Sequence, residues 1–186
     1  LSLHDALPIS VYAFLTAAIL ATTDAPGYVI PLTLAAFGVG GTLGTWGAGR
    51  LTEILGIDRA AFASLAAMAA TQGFAALVVG SWPLMVLSSF LIAAGAGLVI
   101  PLQTRLMDVA GSAQNMAAAM NHAAFNAANA LGPFLAGLAL AAGWGWRAPG
   151  LVGVALTAAG AVVLTIAVRQ DRKARRTASG AAATAG

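Results

Sequence analysis

The sequence predicts an all-α integral membrane protein, on the grounds of its composition, its long uncharged segments and the placement of its basic residues. Of the 186 residues, 60% are hydrophobic and 8% are charged, and the mean hydropathy is +0.87. Soluble domains contain about 25% charged residues. The composition therefore excludes an ordinary soluble domain and predicts a chain whose natural surroundings are the lipid bilayer.

The basic residues are concentrated at one place in the chain. The net charge of +3 and the isoelectric point of about 10.2 would suit a nucleic-acid-binding protein. However, five of the nine basic residues lie between Arg169 and Arg176, directly after an apolar segment. A basic cluster in that position is typical of a cytoplasmic anchor beside a membrane span. We therefore expect no nucleic acid partner.

Six apolar segments are separated by charged residues or by glycine and proline. A helix that crosses the bilayer needs about 20 mainly apolar residues. The predicted spans are residues 10–22, 28–49, 60–80, 82–104, 115–142 and 148–168. Because the first is too short, we expect five complete spans and a sixth that is truncated at its start.

The two ends of the chain differ in character from the spans. Residues 1–9, LSLHDALPI, resemble the in-frame translation of a sequencing adapter. We therefore expect them to be non-native, with the natural chain continuing upstream, and we assign no catalytic role to His4 or Asp5. Residues 169–186 have too little apolar surface to pack, and this basic tail is predicted to be disordered.

The connectors between the spans carry unequal numbers of basic residues. One side of the membrane receives Arg50, Arg59, Arg105 and the five basic residues of the tail, whereas the other receives Arg147 alone. Lys and Arg are in excess on the cytoplasmic side of membrane proteins. The C-terminus is therefore predicted to be cytoplasmic.

A stripe of polar side chains marks the segment 115–142. His122, Asn126 and Asn129 are spaced at i, i+4 and i+7, so they share one face of a helix. Such a face is predicted to line a water-filled cavity or to contact another helix. Both alternatives stay open. His122 would serve a proton-coupled step or pack against a neighbour, and the asparagines would bind substrate or join helices for about 0.6 kcal/mol.

Other motifs carry weaker signals. Gly40 and Gly44 form a GxxxG pattern, which permits close helix packing but is weak in a chain with 22 glycines. Gln72 is an isolated polar residue and is predicted to be structural. The sequence has no cysteine, no metal-ligand spacing, no nucleophile constellation and no phosphate-binding loop. We therefore expect no enzyme, no metal and no cofactor.

Three runs of sequence resemble a known transporter family. They are FGVGGTLGTWGAGRLTE, VIPLQTRLMDVA, and NHAAFNAANALGP with the later GWGWRAP. Together they are similar to the C-terminal half of a major facilitator superfamily permease, above all to the drug and sugar efflux antiporters of the arabinose-efflux type. The resemblance covers residues 11–169. It implies an all-α membrane fold in which the six segments are the seventh to twelfth helices of a twelve-helix transporter.

The resemblance also implies a function. Members of this kind export a small molecule, sugar or drug-like, by alternating access and coupled to protons. The implied partners are the substrate, the lipid bilayer and a missing N-terminal six-helix half, and the implied location is the bacterial inner (cytoplasmic) membrane. The alternative is a small membrane subunit that scaffolds other helices and transports nothing. The genomic sequence upstream of codon 10 would discriminate between the two.

A loop signature of the family falls between the second and third predicted spans. The positions that match it are Gly49, Leu51, Glu53 and Gly56. The match is degenerate, because Glu53 replaces an aspartate and two isoleucines replace basic residues.

Further site residues follow from the same resemblance. Gly132 and Pro133, followed by Gly137, resemble a glycine–proline motif of the antiporters. Tyr12 and Phe14 match an aromatic pair of the seventh helix. The implied substrate path is lined by these two aromatic residues together with the stripe of His122, Asn126 and Asn129.

Overall fold

Six α-helices follow one another along the described part of the chain, residues 6–96, 106–107 and 110–184 of a computed structural model. They are α1 (Ala6–Thr22), α2 (Val29–Leu55), α3 (Ile57–Leu77), α4 (Trp82–Ala96), α5 (Gln114–Ala141) and α6 (Ala148–Thr184), with a 3-10 turn at Gly111–Ala113. No strand occurs among these residues. The predicted all-α fold class is confirmed.

Four of the helices are long and apolar enough to cross a membrane. They are α2, α3, α5 and the part Ala148–Gln170 of α6, whereas α4 is apolar but shorter within the described residues. Only 6% to 22% of the most apolar 18-residue window of each is buried inside the protein. An apolar surface of this extent is stable in contact with the hydrocarbon of a bilayer and unfavourable in contact with water. The chain is thus a multi-pass membrane protein.

Helix boundaries differ from the predicted spans at two charged segments. α2 continues to Leu55, so that Gly56, with a φ of 76°, is the single residue between α2 and α3. α6 continues to Thr184, through the tail whose disorder the sequence predicted. The physical reason is that alanine, arginine, lysine and glutamine favour the helix. A helix that is already formed also extends without a new nucleation step.

Some predicted boundaries fall where the structure gives no description. Residues 97–104, the predicted end of the fourth span, lie outside the described residues, as do residues 1–5 of the segment expected to be non-native. α1 begins at Ala6. That residues 1–9 are non-native stays a prediction.

α2 packs mainly against α4, and two glycines make this contact close. Gly40 and Gly44 are both buried. A Cβ at Gly40 would collide with the carbonyl oxygen of Phe90, and one at Gly44 would collide with that of Ala94. The GxxxG pattern, weak as a sequence signal, therefore brings two backbones into contact.

α3 packs mainly against α6, and here also a glycine allows the approach. A Cβ at Gly150 would lie 2.7 Å from the carbonyl oxygen of Gln72 and 2.8 Å from the Cβ of Ala76. The two helices are thus held together along the face that carries Gln72. This face borders the interior of the bundle.

A cluster of large apolar side chains closes one end of the bundle. Ile19, Val29 and Met85 are fully buried there, and Phe74, Trp82 and Trp146 pack around them. These residues come from the end of α1, the start of α2, the end of α3, the start of α4 and the connector before α6. The connectors 23–28, 78–81 and 142–147 therefore lie at the same end of the bundle.

Candidate functional site

A partly open cavity of about 430 Å³ lies between α1, α3, α4, α5 and α6. Sites for small molecules have volumes of roughly 300–1,000 Å³. The wall is mainly apolar, and none of the described lining residues carries a charge. Its larger apolar side chains include Phe14, Leu65, Met68, Met85, Ile92, Trp146 and Leu156.

Three neutral polar residues reach this apolar wall: Gln72 of α3, Asn129 of α5 and Thr157 of α6. The Thr157 hydroxyl donates to the Gly153 carbonyl at 2.8 Å. Gln72 Nε2 donates to Thr157 Oγ1 at 3.5 Å, a long hydrogen bond. Because the hydroxyl has a single proton, Thr157 accepts from Gln72 while it donates to its own helix.

The position of the Gln72 side chain depends on a glycine. Gly153 faces the Gln72 amide, and a Cβ at this residue would overlap the amide oxygen and carbon. The glycine therefore makes the room in which Gln72 reaches Thr157.

α5 has an interruption of its hydrogen bonding at the cavity. Pro133 lies inside the helix and lines the cavity, as does Asn129 four residues earlier. Proline has no N–H, so it donates nothing to the Asn129 carbonyl. The Asn129 side-chain amide also makes no hydrogen bond to any of the described residues. Asn129 thus presents free hydrogen-bonding capacity beside an apolar space.

The predicted path residues separate into two groups. Phe14 and Asn129 line the cavity. His122 and Asn126 lie on α5 with exposed side chains and are not part of the cavity wall. Tyr12 belongs to α1, but its side chain lies outside the described residues.

The predicted motif residues also separate. Gly132 and Pro133 line the cavity, whereas Gly137 is half-buried and does not. The loop signature spans the junction of α2 and α3: Gly49 and Glu53 are exposed, Leu51 is half-buried, and Gly56 forms the turn.

Next to this junction, an aromatic residue and a cation lie together. The Arg50 guanidinium carbon is 5.6 Å from the centroid of the Trp46 ring. This distance is within the range of a cation–π interaction, worth about 0.5–1 kcal/mol at an exposed site. The contact stabilises the charged end of α2 where it leaves the apolar region.

Sequence reasoning missed Gln72 and Thr157 as lining residues. The available signal for Gln72 was its isolation within an uncharged segment of 45 residues, 60–104. Polar residues inside a membrane span face the protein interior. Thr157 offered no signal, since threonines in this chain commonly donate to the carbonyl four residues earlier, as Thr33 and Thr165 do.

Comparison with protein families assigns the chain. A family model described as the Major Facilitator Superfamily matches residues 6–185. No curated protein and no solved structure matches significantly. The family match covers nearly the whole sequence and agrees with the all-helical, membrane-spanning architecture. The chain belongs to the Major Facilitator Superfamily, whose members are membrane transporters and not enzymes.

Proposed function

We propose that this chain is the C-terminal six-helix half of an efflux transporter of the arabinose-efflux or drug-antiporter type. In the superfamily, each half is built from two three-helix repeats of inverted topology. If α1, α2 and α3 form one repeat, they correspond in order to α4, α5 and α6 of the other. The contact between α2 and α4 then corresponds to a contact between α5 and α1, and the contact between α3 and α6 corresponds to itself. All three of these pairs are in contact. The extensive α3–α6 contact fits two related three-helix units, whereas α1 and α5 touch only slightly where α2 and α4 pack extensively.

The observation that carries the proposal is the polar face of α5. Only 6% of the most apolar window of α5 is buried, against 17% to 22% for the other three long helices. His122 and Asn126 are exposed on this helix. Polar side chains facing hydrocarbon are unfavourable, so such a face belongs against water or protein. A second six-helix half opposite α5 would supply both.

In this proposal the substrate is a small molecule, sugar or drug-like, that binds between the two halves near the middle of the membrane. The halves rock about it and expose it to each side in turn. The side-chain amide of Asn126 donates hydrogen bonds to the substrate through its NH2 group and accepts them through its oxygen. His122 takes up and releases the coupling proton through a nitrogen of its imidazole ring. The protein lies in the bacterial inner membrane with its C-terminus in the cytoplasm.

The test uses the longer transporter with its N-terminal half restored. Efflux of two probes, radiolabelled arabinose and the dye Hoechst 33342, is measured in cells that carry Asn126→Ala or the control Ala127→Ser. Both residues are exposed on α5. We expect Asn126→Ala to slow efflux of the transported probe at least tenfold while Ala127→Ser leaves it unchanged. Equal effects would assign Asn126 to helix packing, and absence of efflux in the restored protein would favour the non-transporting scaffold.

The proton-coupling step has its own readout. Efflux is compared with and without a protonophore in the restored transporter and in His122→Gln. We expect the protonophore to reduce efflux in the parent protein and to have little effect on the residual efflux of His122→Gln. An unchanged protonophore response in His122→Gln would place the coupling proton elsewhere.

A further inference from the structure

We propose that the cavity between α1, α3, α4, α5 and α6 is a second binding site, separate from the exposed residues His122 and Asn126 of α5. Its ligand is an uncharged, mainly apolar small molecule that carries one hydrogen-bonding group. Phe14 and Asn129 of the sequence-predicted path line this cavity, whereas His122 and Asn126, which carry the transport step proposed above, do not.

The wall determines the chemical class of the ligand. No described lining residue carries a charge, so the cavity offers no counter-ion to an ionic solute. Burying an ion without a partner is strongly unfavourable. A sugar is disfavoured for a related reason, because its several hydroxyls would outnumber the polar groups of Gln72, Asn129 and Thr157. An apolar molecule with one polar group matches both the wall and its few polar groups.

Asn129 is the residue that orients the ligand. The Gln72 amide and the Thr157 hydroxyl are already joined to each other, at 3.5 Å, and Thr157 is bonded to its own helix. The Asn129 amide has no such bond among the described residues. Pro133 also leaves the Asn129 carbonyl without its helical donor. A ligand carbonyl can therefore accept from the Asn129 side-chain amide, and a ligand hydroxyl can donate to its side-chain oxygen.

The methionines of the chain provide a direct readout. Met68 and Met85 line the cavity, and Met85 is only 1% exposed. Met116 and Met120 are 67% and 65% exposed on α5. Benzophenone is uncharged, is apolar apart from one carbonyl, and on irradiation inserts into nearby C–H bonds with a preference for methionine. The protein in lipid nanodiscs is irradiated with increasing benzophenone, and the adduct at each methionine is measured by peptide mass spectrometry.

Binding in the cavity predicts saturable labelling of Met68 and Met85. Labelling of Met116 and Met120 is expected to rise in proportion to the benzophenone dissolved in the lipid. Parallel, unsaturated labelling of all four methionines would overturn the proposal.

A matched pair of glycines on α5 provides the control. A Cβ at Gly132 or at Gly137 would meet no atom within 4 Å, but only Gly132 lines the cavity. We expect Gly132→Leu to fill the space and abolish the saturable labelling, and Gly137→Leu to leave it unchanged. Persistence of the labelling in a folded Gly132→Leu protein, judged by circular dichroism, would contradict the site.

Asn129 is tested by a substitution that does not depend on filling the cavity. We expect Asn129→Leu to raise the half-saturating benzophenone concentration about fivefold, the effect of losing one ordinary hydrogen bond. Ala130→Leu, which adds the same side chain at the next, exposed position of α5, should leave that concentration unchanged. If the half-saturating benzophenone concentration is the same in both variants and in the parent protein, Asn129 does not bind the ligand.

Discussion

Gly153 faces the side-chain amide of Gln72, and a Cβ at Gly153 would overlap this amide in the position it occupies between the two helices. Gln72 lies in α3 and Gly153 in α6, 81 positions apart in the chain. The contact lets the Gln72 amide reach Thr157 and places both on the cavity wall. The close contact between the two helices, here called a seam, continues at Gly150. The atoms nearest to Gly150 belong mainly to the backbone of α3.

The seam between α3 and α6 predicts a destabilising substitution. In Gly150→Ala the new Cβ would lie 2.7 Å from the Gln72 carbonyl oxygen, so the helices must move apart. We expect the free energy of unfolding to fall by about 1–3 kcal/mol, as for other overpacked positions. Unfolding in an SDS titration, followed by circular dichroism, measures the change.

Gly73→Ala is the matched control, since its Cβ would meet only a Val154 methyl at 3.8 Å. This substitution should be neutral or stabilising by up to about 1 kcal/mol, because alanine favours the helix over glycine. Similar stability of the two variants would show that Gly150 does not set the helix distance.

The seam between α2 and α4 makes a parallel prediction on a different helix pair. Gly44→Ala would drive a Cβ into the Ala94 carbonyl, whereas Gly47→Ala meets nothing within 4 Å. We expect Gly44→Ala to lower the thermal unfolding temperature and Gly47→Ala to leave it equal or raise it. Differential scanning fluorimetry of the purified proteins measures these unfolding temperatures. A lower temperature for Gly47→Ala than for Gly44→Ala would contradict the packing of this seam.

The interruption of α5 predicts a stabilising substitution. Pro133→Ala restores an N–H that can donate to the Asn129 carbonyl, and the gain is bounded by the roughly 3 kcal/mol that an interior proline costs a helix. Hydrogen–deuterium exchange should slow around residue 133, and the free energy of unfolding should rise.

Pro149→Ala serves as the control, because Pro149 lies in the first turn of α6. An N–H there has no helical acceptor in any case. An equal gain from the two substitutions would mean that the missing hydrogen bond at Asn129 is already compensated.

The orientation of the bundle is testable because the chain contains no native cysteine. Asp24 lies in the connector at the end closed by the apolar cluster, and Gln114 lies at the start of α5; both are exposed. We expect a membrane-impermeant maleimide to label Asp24→Cys in intact cells and Gln114→Cys only after permeabilisation. The reverse pattern would invert the predicted topology.

Local features of the sequence were sufficient for the helices and for their membrane setting. Low charge, apolar segments of about 20 residues and glycine–proline breaks are properties of neighbouring residues, and they predicted the class that the structure confirms. These features predicted the ends of the helices less accurately where a helix continues beyond its apolar region. Arg50 to Leu55 and the tail from Arg169 are polar, and their helical state depends on continuation from a helix already formed.

The candidate site was only partly visible in the sequence. Spacing alone grouped His122, Asn126 and Asn129, because all three lie on one helix and its period is known. Their division into an exposed pair and a cavity-lining residue depends on which helices cover α5, and no local pattern states this. The partnership of Gln72 with Thr157 was likewise invisible, since it joins residues 85 positions apart.

By itself, the sequence determined that the chain is helical, that it lies in a membrane and that one helix carries a polar face. Tertiary structure alone decided which glycines allow two helices to come into contact. It also decided which polar residues share a cavity and which remain on the surface. The physical reason is the range of the interactions. Hydrophobicity and helix period act between neighbours in the chain, whereas packing joins α2 to α4 and α3 to α6 across long stretches of sequence.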